Sequence, residues 1–533
     1  MSSLILALVL SLQCMGLVLA QDALGTWSIV LGNAGIATMH AAVTRFDTCI
    51  MLDRTNIGPT GRMLENGRCR DQPQEAILKH DCYAHSVMYR PDLKTVRSLF
   101  IFTDTWCSSG QFFSDGTLWQ TGGDAEGSRR IRTFTPCDAS GDCDWVETTT
   151  NLTVRRWYAT NHLLPEGNRQ IVIGGSGQNS YEFVPKRTPT EGVFPLQFLA
   201  DNCCQSLYPF VFLLPNGELF IFTNMNAIRL NYITNTVTKT YPTIPDNPRN
   251  YPSAGSGVLL PLVWQDGFTK AEILICGGAA VNASTKNQVN RLASKSCGRI
   301  DPLADAPVWF METMPIERVM GDMVLLPSGD VLIINGARNG FSGWEKATNA
   351  VLFPVSYAPY NKVGTRFTSL QNSTIPRVYH STANLLPDSK VLCAGSNTHQ
   401  FYTYTGVYPT ELRLDVFSPP YTRSSFTNIR PGFIKWPAVI SYNQVFSVEF
   451  TVKSLTGTIG VMQHSAPFAT HSFSQGQRQL QLRTGPAVLV SGTLYTVDVT
   501  AAPNAFVAPP AYYLFFLVQR GKPGTGKWIQ QTL

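Results

Sequence analysis

Charged side chains are scarce in this chain: they make up 15% of its 533 residues, with 42 Lys plus Arg against 36 Asp plus Glu. The net charge of +6 is spread thinly and never gathers into a basic run, which argues against a nucleic-acid partner. No Gly-rich phosphate loop leads into a helix, so nucleotide chemistry has no foothold. Low-complexity tracts are missing as well. Beyond the first twenty residues no apolar run approaches the length of a membrane span. With 44% hydrophobic and 11% aromatic residues the chain has ample core material, and its length allows two or more domains.

What is present begins with a leader. Met1 to Ala20 carries no charged side chain, holds the apolar run Leu4 to Leu10 and ends Val18-Leu19-Ala20, the pattern of a signal peptide over residues 1–20. It departs from that pattern in lacking a Lys or Arg near the start. Sequons at Asn151-Leu152-Thr153, Asn282-Ala283-Ser284 and Asn372-Ser373-Thr374 suit a secreted glycoprotein of the extracellular space or cell wall. Twelve cysteines, less Cys14 of the leader, leave eleven, and an odd number in an oxidising compartment requires one to do something other than pair. Cys137 with Cys143 and Cys276 with Cys297 are the nearest disulfide candidates. Adjacent Cys203 and Cys204 are expected to take different partners.

A repeat runs from residue 22 to about 400. Leu163-Leu164-Pro165-Glu166-Gly167 leads to Ile171-Val172-Ile173-Gly174-Gly175, Leu213-Leu214-Pro215-Asn216-Gly217 to Leu219-Phe220-Ile221-Phe222, and Leu325-Leu326-Pro327-Ser328-Gly329 to Val331-Leu332-Ile333-Ile334. Phe112-Phe113 and Leu385-Leu386 head similar units, Ser253 to Gly278 is a copy with a longer turn, and Met39 to Leu52 is a degenerate first copy. Each unit reads as an apolar strand, a tight turn using Pro or Gly, and a second apolar strand. Seven such hairpins predict an all-β, seven-bladed, kelch-like β-propeller over residues 21–402. From residue 403 to 533 short strands at Val445 to Val452, Gly457 to Met462, Gln479 to Leu482, Leu494 to Val499 and Tyr512 to Val518 predict an immunoglobulin-like β-sandwich. The stretch Pro409 to Pro420 is expected to open that second domain.

Aligned on their turns, the repeats place Cys107, Tyr158 and His380 at one structural position, five residues before the Leu-Leu pair or its equivalent. Inner propeller strands surround a channel, so these three converge on one mouth of it. Tyr379 precedes His380; neighbouring side chains in a strand point apart, so both reach one centre only where the strand begins. The repeat explains the equivalence of the positions and leaves their chemistry unexplained, and imidazole with phenolate is a donor set for copper. A fourth donor is expected from His471, in Ala469-Thr470-His471-Ser472-Phe473-Ser474, with His40 as runner-up and His464 near it. His80, His85, His162 and His399 read as surface or loop residues.

Trp106-Cys107-Ser108-Ser109-Gly110, Arg156-Trp157-Tyr158-Ala159-Thr160, Val378-Tyr379-His380-Ser381-Thr382-Ala383 and Ala469-Thr470-His471-Ser472-Phe473, in that order over nearly the whole mature chain, resemble the copper radical oxidases. The match looks nearest to plant-type glyoxal oxidases, relatives of galactose oxidase. The resemblance implies one copper ion held by Tyr158, Tyr379, His380 and His471, and a thioether cross-link between Cys107 and Tyr158 that makes a tyrosyl radical cofactor and accounts for the odd cysteine. It further implies that Tyr379 takes the substrate proton and that the Tyr158 radical takes a hydrogen atom from the substrate carbon. Dioxygen then leaves as hydrogen peroxide. Ser389 replaces a usual turn Gly and Ala511 stands where Gly is common; neither is a ligand.

Three functions fit this reading. The first is an oxidase of small aldehydes such as glyoxal and methylglyoxal, using dioxygen. The second is a primary-alcohol oxidase of galactose oxidase type with the same centre, distinguished by the residues that line the substrate position, for which Trp106 and Trp157 are candidates. The third is a secreted propeller that binds a wall polymer without chemistry. The missing N-terminal carbohydrate-binding domain of galactose oxidase favours small aldehydes over sugars. A monomer without a membrane span is expected.

Overall fold

The computed structural model describes residues 23–138, 141–202 and 206–533. The signal peptide over 1–20 and the cysteines at 203 and 204 lie outside the described residues. The repeat units fold as antiparallel hairpins: Ala159–Leu163 pairs with Gln170–Gly174, Phe210–Leu213 with Leu219–Thr223, and Ser381–Leu385 with Val391–Gly395. In these hairpins both faces of each strand are buried against neighbouring blades, so the strands read as continuous apolar runs. Polar alternation is left to outer strands such as Thr236–Thr240.

Each hairpin is the inner half of a four-stranded sheet, and seven sheets make the propeller. The seventh closes the ring. Its three inner strands come from the far end of the domain, and its outer strand, Thr26–Leu31, comes from the beginning of the chain and pairs with Leu414–Ser418, Trp27 opposite Phe417. Closure of this kind leaves short, protected edges in place of a long open one.

That pairing corrects the expected boundary at residue 402. Leu414–Ser418 is the third strand of the seventh blade and does not open the sandwich. Leu414 and Val416 pack into one inter-blade core and Phe417 into the next, so both faces are needed within the propeller. The sandwich strands begin at Gly432. They include Val445–Thr451, Ile459–Ser465, Gln479–Thr484, Leu494–Thr500 and Ala511–Gln519, close to the sequence-based expectation. Gln479–Thr484 pairs with Ile459–Ser465 through its first half and with Leu494–Thr500 through its last residues, which joins the two sheets at a corner.

One sandwich element leaves its own sheets. The hairpin Phe468–Thr470 and Phe473–Gln475 adds to the inner edge of the first blade, with His40 opposite Thr470 and Ala41 opposite Ala469. It plugs the channel, where the exposed edges of the inner strands would otherwise lack partners. Gln475 accepts from the Asn161 amide at 3.0 Å, Gln477 accepts from the Leu325 amide at 2.8 Å and donates to the Met323 carbonyl at 2.9 Å, and Arg478 donates to the Leu213 carbonyl at 2.9 Å. Gly110 lets the plug in: a Cβ there would stand 2.9 Å from the Phe468 ring.

Three disulfides lie among the described residues. Cys137–Cys143 and Cys276–Cys297 form as expected, and Cys69–Cys82 is an addition. Among the described residues Cys49, Cys107 and Cys393 are free and buried, where the odd-cysteine argument required one.

Candidate metal centre

The residue one or two positions before the inner strand sits, in six blades, where an incoming loop turns sharply into the channel wall. Cys107, Tyr158, Tyr208, Ala254, Met320 and His380 occupy this position in six blades, and all have positive φ, from 43° to 65°. Left-handed backbone disfavours a non-glycine residue by about 1–2 kcal/mol. Because Ala254 and Met320 share it, the conformation belongs to the blade and not to chemistry. The turn aims whatever side chain is present, and only the choice of Cys, Tyr and His makes a site.

His471 arrives from the opposite direction, at the tip of the plug. Thr470 pairs with Phe473, so His471 and Ser472 form a two-residue loop, with φ of 45° and 70°. Positive φ at both central positions is the type I′ hairpin geometry, usually filled by Asn-Gly. Here His and Ser accept that strain, and the imidazole is delivered to the channel axis.

The expected residues meet. The Tyr379 and His380 rings stack with centroids 3.9 Å apart, and the His471 ring stands edge-on to His380 at 4.9 Å, Tyr379 at 5.6 Å and Tyr158 at 5.7 Å. Cys107 Sγ lies 3.2 Å from His471 Nε2, and donor atoms of Cys107, His380 and His471 fall within 4.8 Å of one another. Cys107 and Tyr158 interact directly through thiol and phenol, and the Tyr158 amide donates to the Cys107 carbonyl at 2.9 Å. All five side chains are at most 5% exposed.

Burial in this pocket pushes the Tyr158 and Tyr379 phenols and the Cys107 thiol well above their ordinary ranges. It also pushes His380 and His471 well below theirs, so both imidazoles are neutral and keep a lone pair to share. Neither ring nitrogen of His380 has a hydrogen-bond partner among the described residues. A buried polar atom without a partner is costly unless something else supplies one.

His40 is not free to ligate. Its Nε2 donates to the Thr105 carbonyl at 3.1 Å, which leaves Nδ1 as acceptor for the Thr470 hydroxyl at 2.7 Å. Thr470 Oγ1 then accepts from His471 Nδ1 at 2.6 Å, and the lone pair of His471 Nε2 faces the centre. The chain of donors fixes one tautomer, the usual task of groups just outside a metal site. Of the remaining histidines, His162 and His85 depart from the surface or loop reading: both are buried, His162 between the Leu163 carbonyl and the Leu213 amide and His85 against Asp81 at 2.7 Å. His464 is buried in a sandwich strand, His80 is exposed beside Asp71, and His399 pairs with Glu345 at 3.1 Å.

Sequence reasoning missed Tyr251, whose hydroxyl bridges Tyr158 at 3.0 Å and Tyr379 at 3.1 Å. It lies three residues before the aligned position, in the copy with the irregular turn, so no phase argument reaches it. Trp344 was missed too. It comes from a small hairpin, Ala337–Gly340 with Ala347–Ala350, inserted between two strands of the sixth blade. There it stacks on Trp106 at 5.2 Å, and Trp106 meets Trp157 edge-on at 4.9 Å, placing both expected tryptophans at the mouth.

Residues 39–421 match the family described as glyoxal oxidase N-terminus, and residues 430–531 match the galactose oxidase-like early set domain. The chain belongs to the glyoxal oxidase family. This family member is 48% identical over 514 residues to aldehyde oxidase GLOX of Vitis pseudoreticulata, covering 96% of this chain and 97% of that one. It is 38% identical over 522 residues to aldehyde oxidase GLOX1 of Arabidopsis thaliana, covering 95% and 84%. Among solved structures, a fungal alcohol oxidase in complex with copper superposes with a TM-score of 0.72 at 17% identity, over 96% of this chain and all of that one. That likeness supports the propeller and sandwich. Family membership makes this glyoxal oxidase relative an oxidoreductase.

Proposed function

We propose that the protein is a secreted, mononuclear copper radical oxidase that converts small aldehydes to carboxylic acids and reduces dioxygen to hydrogen peroxide. The observation that carries this reading is the convergence of two phenols, two neutral imidazoles and one thiol on a buried channel mouth, from three blades and one plug. The donor set fits copper: His380 offers two unpartnered nitrogens, His471 Nε2 is freed by its hydrogen-bonded tautomer, and Tyr158 and Tyr379 supply oxygen. Those four residues would hold the ion. Cys107, adjoining Tyr158, would form the thioether, the thiol hydrogen and one ring hydrogen leaving as two protons and two electrons that pass to dioxygen and give hydrogen peroxide. Bound copper would supply a coordination position for the substrate oxygen and accept the second electron of the oxidation.

The chain's own residues account for the rest. Tyr379 takes the hydroxyl proton of the aldehyde hydrate, and the Tyr158 radical takes the hydrogen atom from its carbon. Dioxygen receives two electrons and two protons, restoring both residues, so that aldehyde, water and dioxygen give acid and hydrogen peroxide. A one-electron metal cannot perform a two-electron oxidation alone, and the cross-linked phenol is the second redox centre. Tyr251, bonded to both phenols, keeps their hydroxyls in register.

Secretion is supported by three disulfides and by the leader pattern. Asn151, Asn282 and Asn372 are all exposed, as glycan attachment requires. The test is peroxide release and oxygen uptake by copper-loaded, oxidised protein offered glyoxal, methylglyoxal, simple alcohols and galactose. Turnover of aldehydes ahead of alcohols is expected. Preference for alcohols or galactose would reassign the substrate class, and no peroxide with any of them would leave a binding propeller.

A further inference from the structure

Arg54 stands out among the buried arginines. Arg156 spends its guanidinium on Glu182 and the carbonyls of Gly174 and Ser180, and Arg377 on Asp415 and the carbonyls of Gly395 and Arg413. Arg54 is 2% exposed, yet among the described residues its guanidinium makes one hydrogen bond, from Nη1 to Asn56 at 2.9 Å. Nε and Nη2 are buried with no partner among the described residues. These two nitrogens form one edge of the guanidinium, whose parallel N–H groups match the two oxygens of a carboxylate.

The neighbouring acids are already taken. Asp53 accepts from the Tyr402 hydroxyl at 2.6 Å and from the Arg54 amide at 2.8 Å; Asp104 accepts from the Thr55 amide at 2.9 Å and from Asn56 at 3.1 Å. Burial raises both, Asp104 to about 7, with the charge of Arg54 opposing the rise in each, and among the described residues neither carboxylate bonds the Arg54 guanidinium. The guanidinium lies over Trp106 at 4.8 Å and Trp344 at 4.9 Å, which fixes its plane without using its N–H groups. Trp106, Trp157 and Trp344 also bury indole N–H groups that have no partner among the described residues. Every unpartnered atom in this cluster is a donor. The cluster adjoins the centre, since Trp106 precedes Cys107 in the chain, Trp157 contacts Tyr158 at 4.8 Å, and the charge of Arg54 acts on His380 and Cys107.

We propose that the Nε–Nη2 edge of Arg54, clamped by Trp106 and Trp344, binds oxygen atoms on the carbon next to the reacting aldehyde carbon, which makes aldehydes with a neighbouring carboxylate the preferred substrates. This rests on the oxidase reading above. Arg54 is then a specificity-determining residue, and it takes no part in proton or hydrogen transfer.

The experiment compares the copper-loaded wild type with Arg54→Met and Arg54→Lys, using glyoxylate and acetaldehyde. For Arg54→Met, kcat/KM for glyoxylate is expected to fall roughly 10- to 100-fold further than that for acetaldehyde, as for loss of a charge-assisted hydrogen bond. Arg54→Lys, which retains the charge and stem, should recover part of the loss and serves if the Met variant fails to fold. An equal loss for both substrates, or none for either, overturns the proposal. Anaerobic titration of glyoxylate, followed by indole emission, needs no turnover: saturable binding lost in the variants supports the subsite. Equal emission changes in wild type and variants would mean that this edge holds only water. Wild type that binds glyoxylate but oxidises no aldehyde would overturn the oxidase reading and leave the subsite standing.

Discussion

At the scale of single residues, Tyr379 and His380 show how much depends on where a strand begins. The strand starts at Ser381, so the two preceding side chains escape the alternation of a pleated sheet and stack toward one centre. Tyr379→Phe is expected to keep copper and lose roughly 10²- to 10⁴-fold in turnover, the usual contribution of a positioned base. Activity within a few-fold of wild type would move that role to Tyr251, which touches both phenols. His380→Ala and His471→Ala should each strip copper from a folded propeller, read by metal content after dialysis. His40→Ala should weaken copper by about 10- to 100-fold through the freed His471 tautomer, whereas His464→Ala should not. For Cys107, the intact mass after reduction and deglycosylation should be lower by two hydrogens than that of the uncross-linked chain. Cys107→Ser should restore them, retain copper and lose most activity. A free Cys107 thiol in fully active enzyme would refute the cross-link.

At the scale of elements, the plug hairpin is the piece on which the centre depends, because it alone brings His471 to residues held by the propeller. Its seat is tight at Gly110. Gly110→Val should push the Phe468 ring away, destabilise the protein by about 1–3 kcal/mol as overpacking does, and lower copper affinity by displacing His471. Gly192→Val is the control, since a Cβ there meets nothing within 4 Å. Thermal unfolding and copper titration of the two variants decide the matter. Equal behaviour would mean that the plug tolerates displacement.

For the whole molecule, buried histidines set the acid limit. Burial lowers His40 and His464 to about 3 and His162 to about 4. Below about pH 6.5 the unfolded chain binds protons at these three sites and the folded chain does not, so stability is full above that pH and falls as the pH drops toward 4. Each contributes at most about 1.4 kcal/mol per pH unit. Melting temperature of the metal-free protein should therefore decline steadily from pH 6.5 to 4. His162→Gln and His464→Gln should flatten that slope, and an unchanged slope would assign acid sensitivity to other groups.

The sequence by itself determined the seven hairpins, the sandwich strands and the shared position of three of the five candidate site residues, because a repeat turns linear phase into spatial equivalence. Cys107, Tyr158 and His380 could be placed on one channel mouth once their offsets from the turn were seen to agree. Tertiary structure alone decided the rest. Leu414–Ser418 reads as a strand in any setting, and its place in the seventh blade follows from a partner, Thr26–Leu31, nearly four hundred residues away. Tyr251, Trp344 and Arg54 sit in irregular loops whose length follows no period, so their meeting at the mouth is legible only in three dimensions. His40 was the runner-up donor by phase; two hydrogen bonds, one from a residue of the plug, make it a group that orients His471.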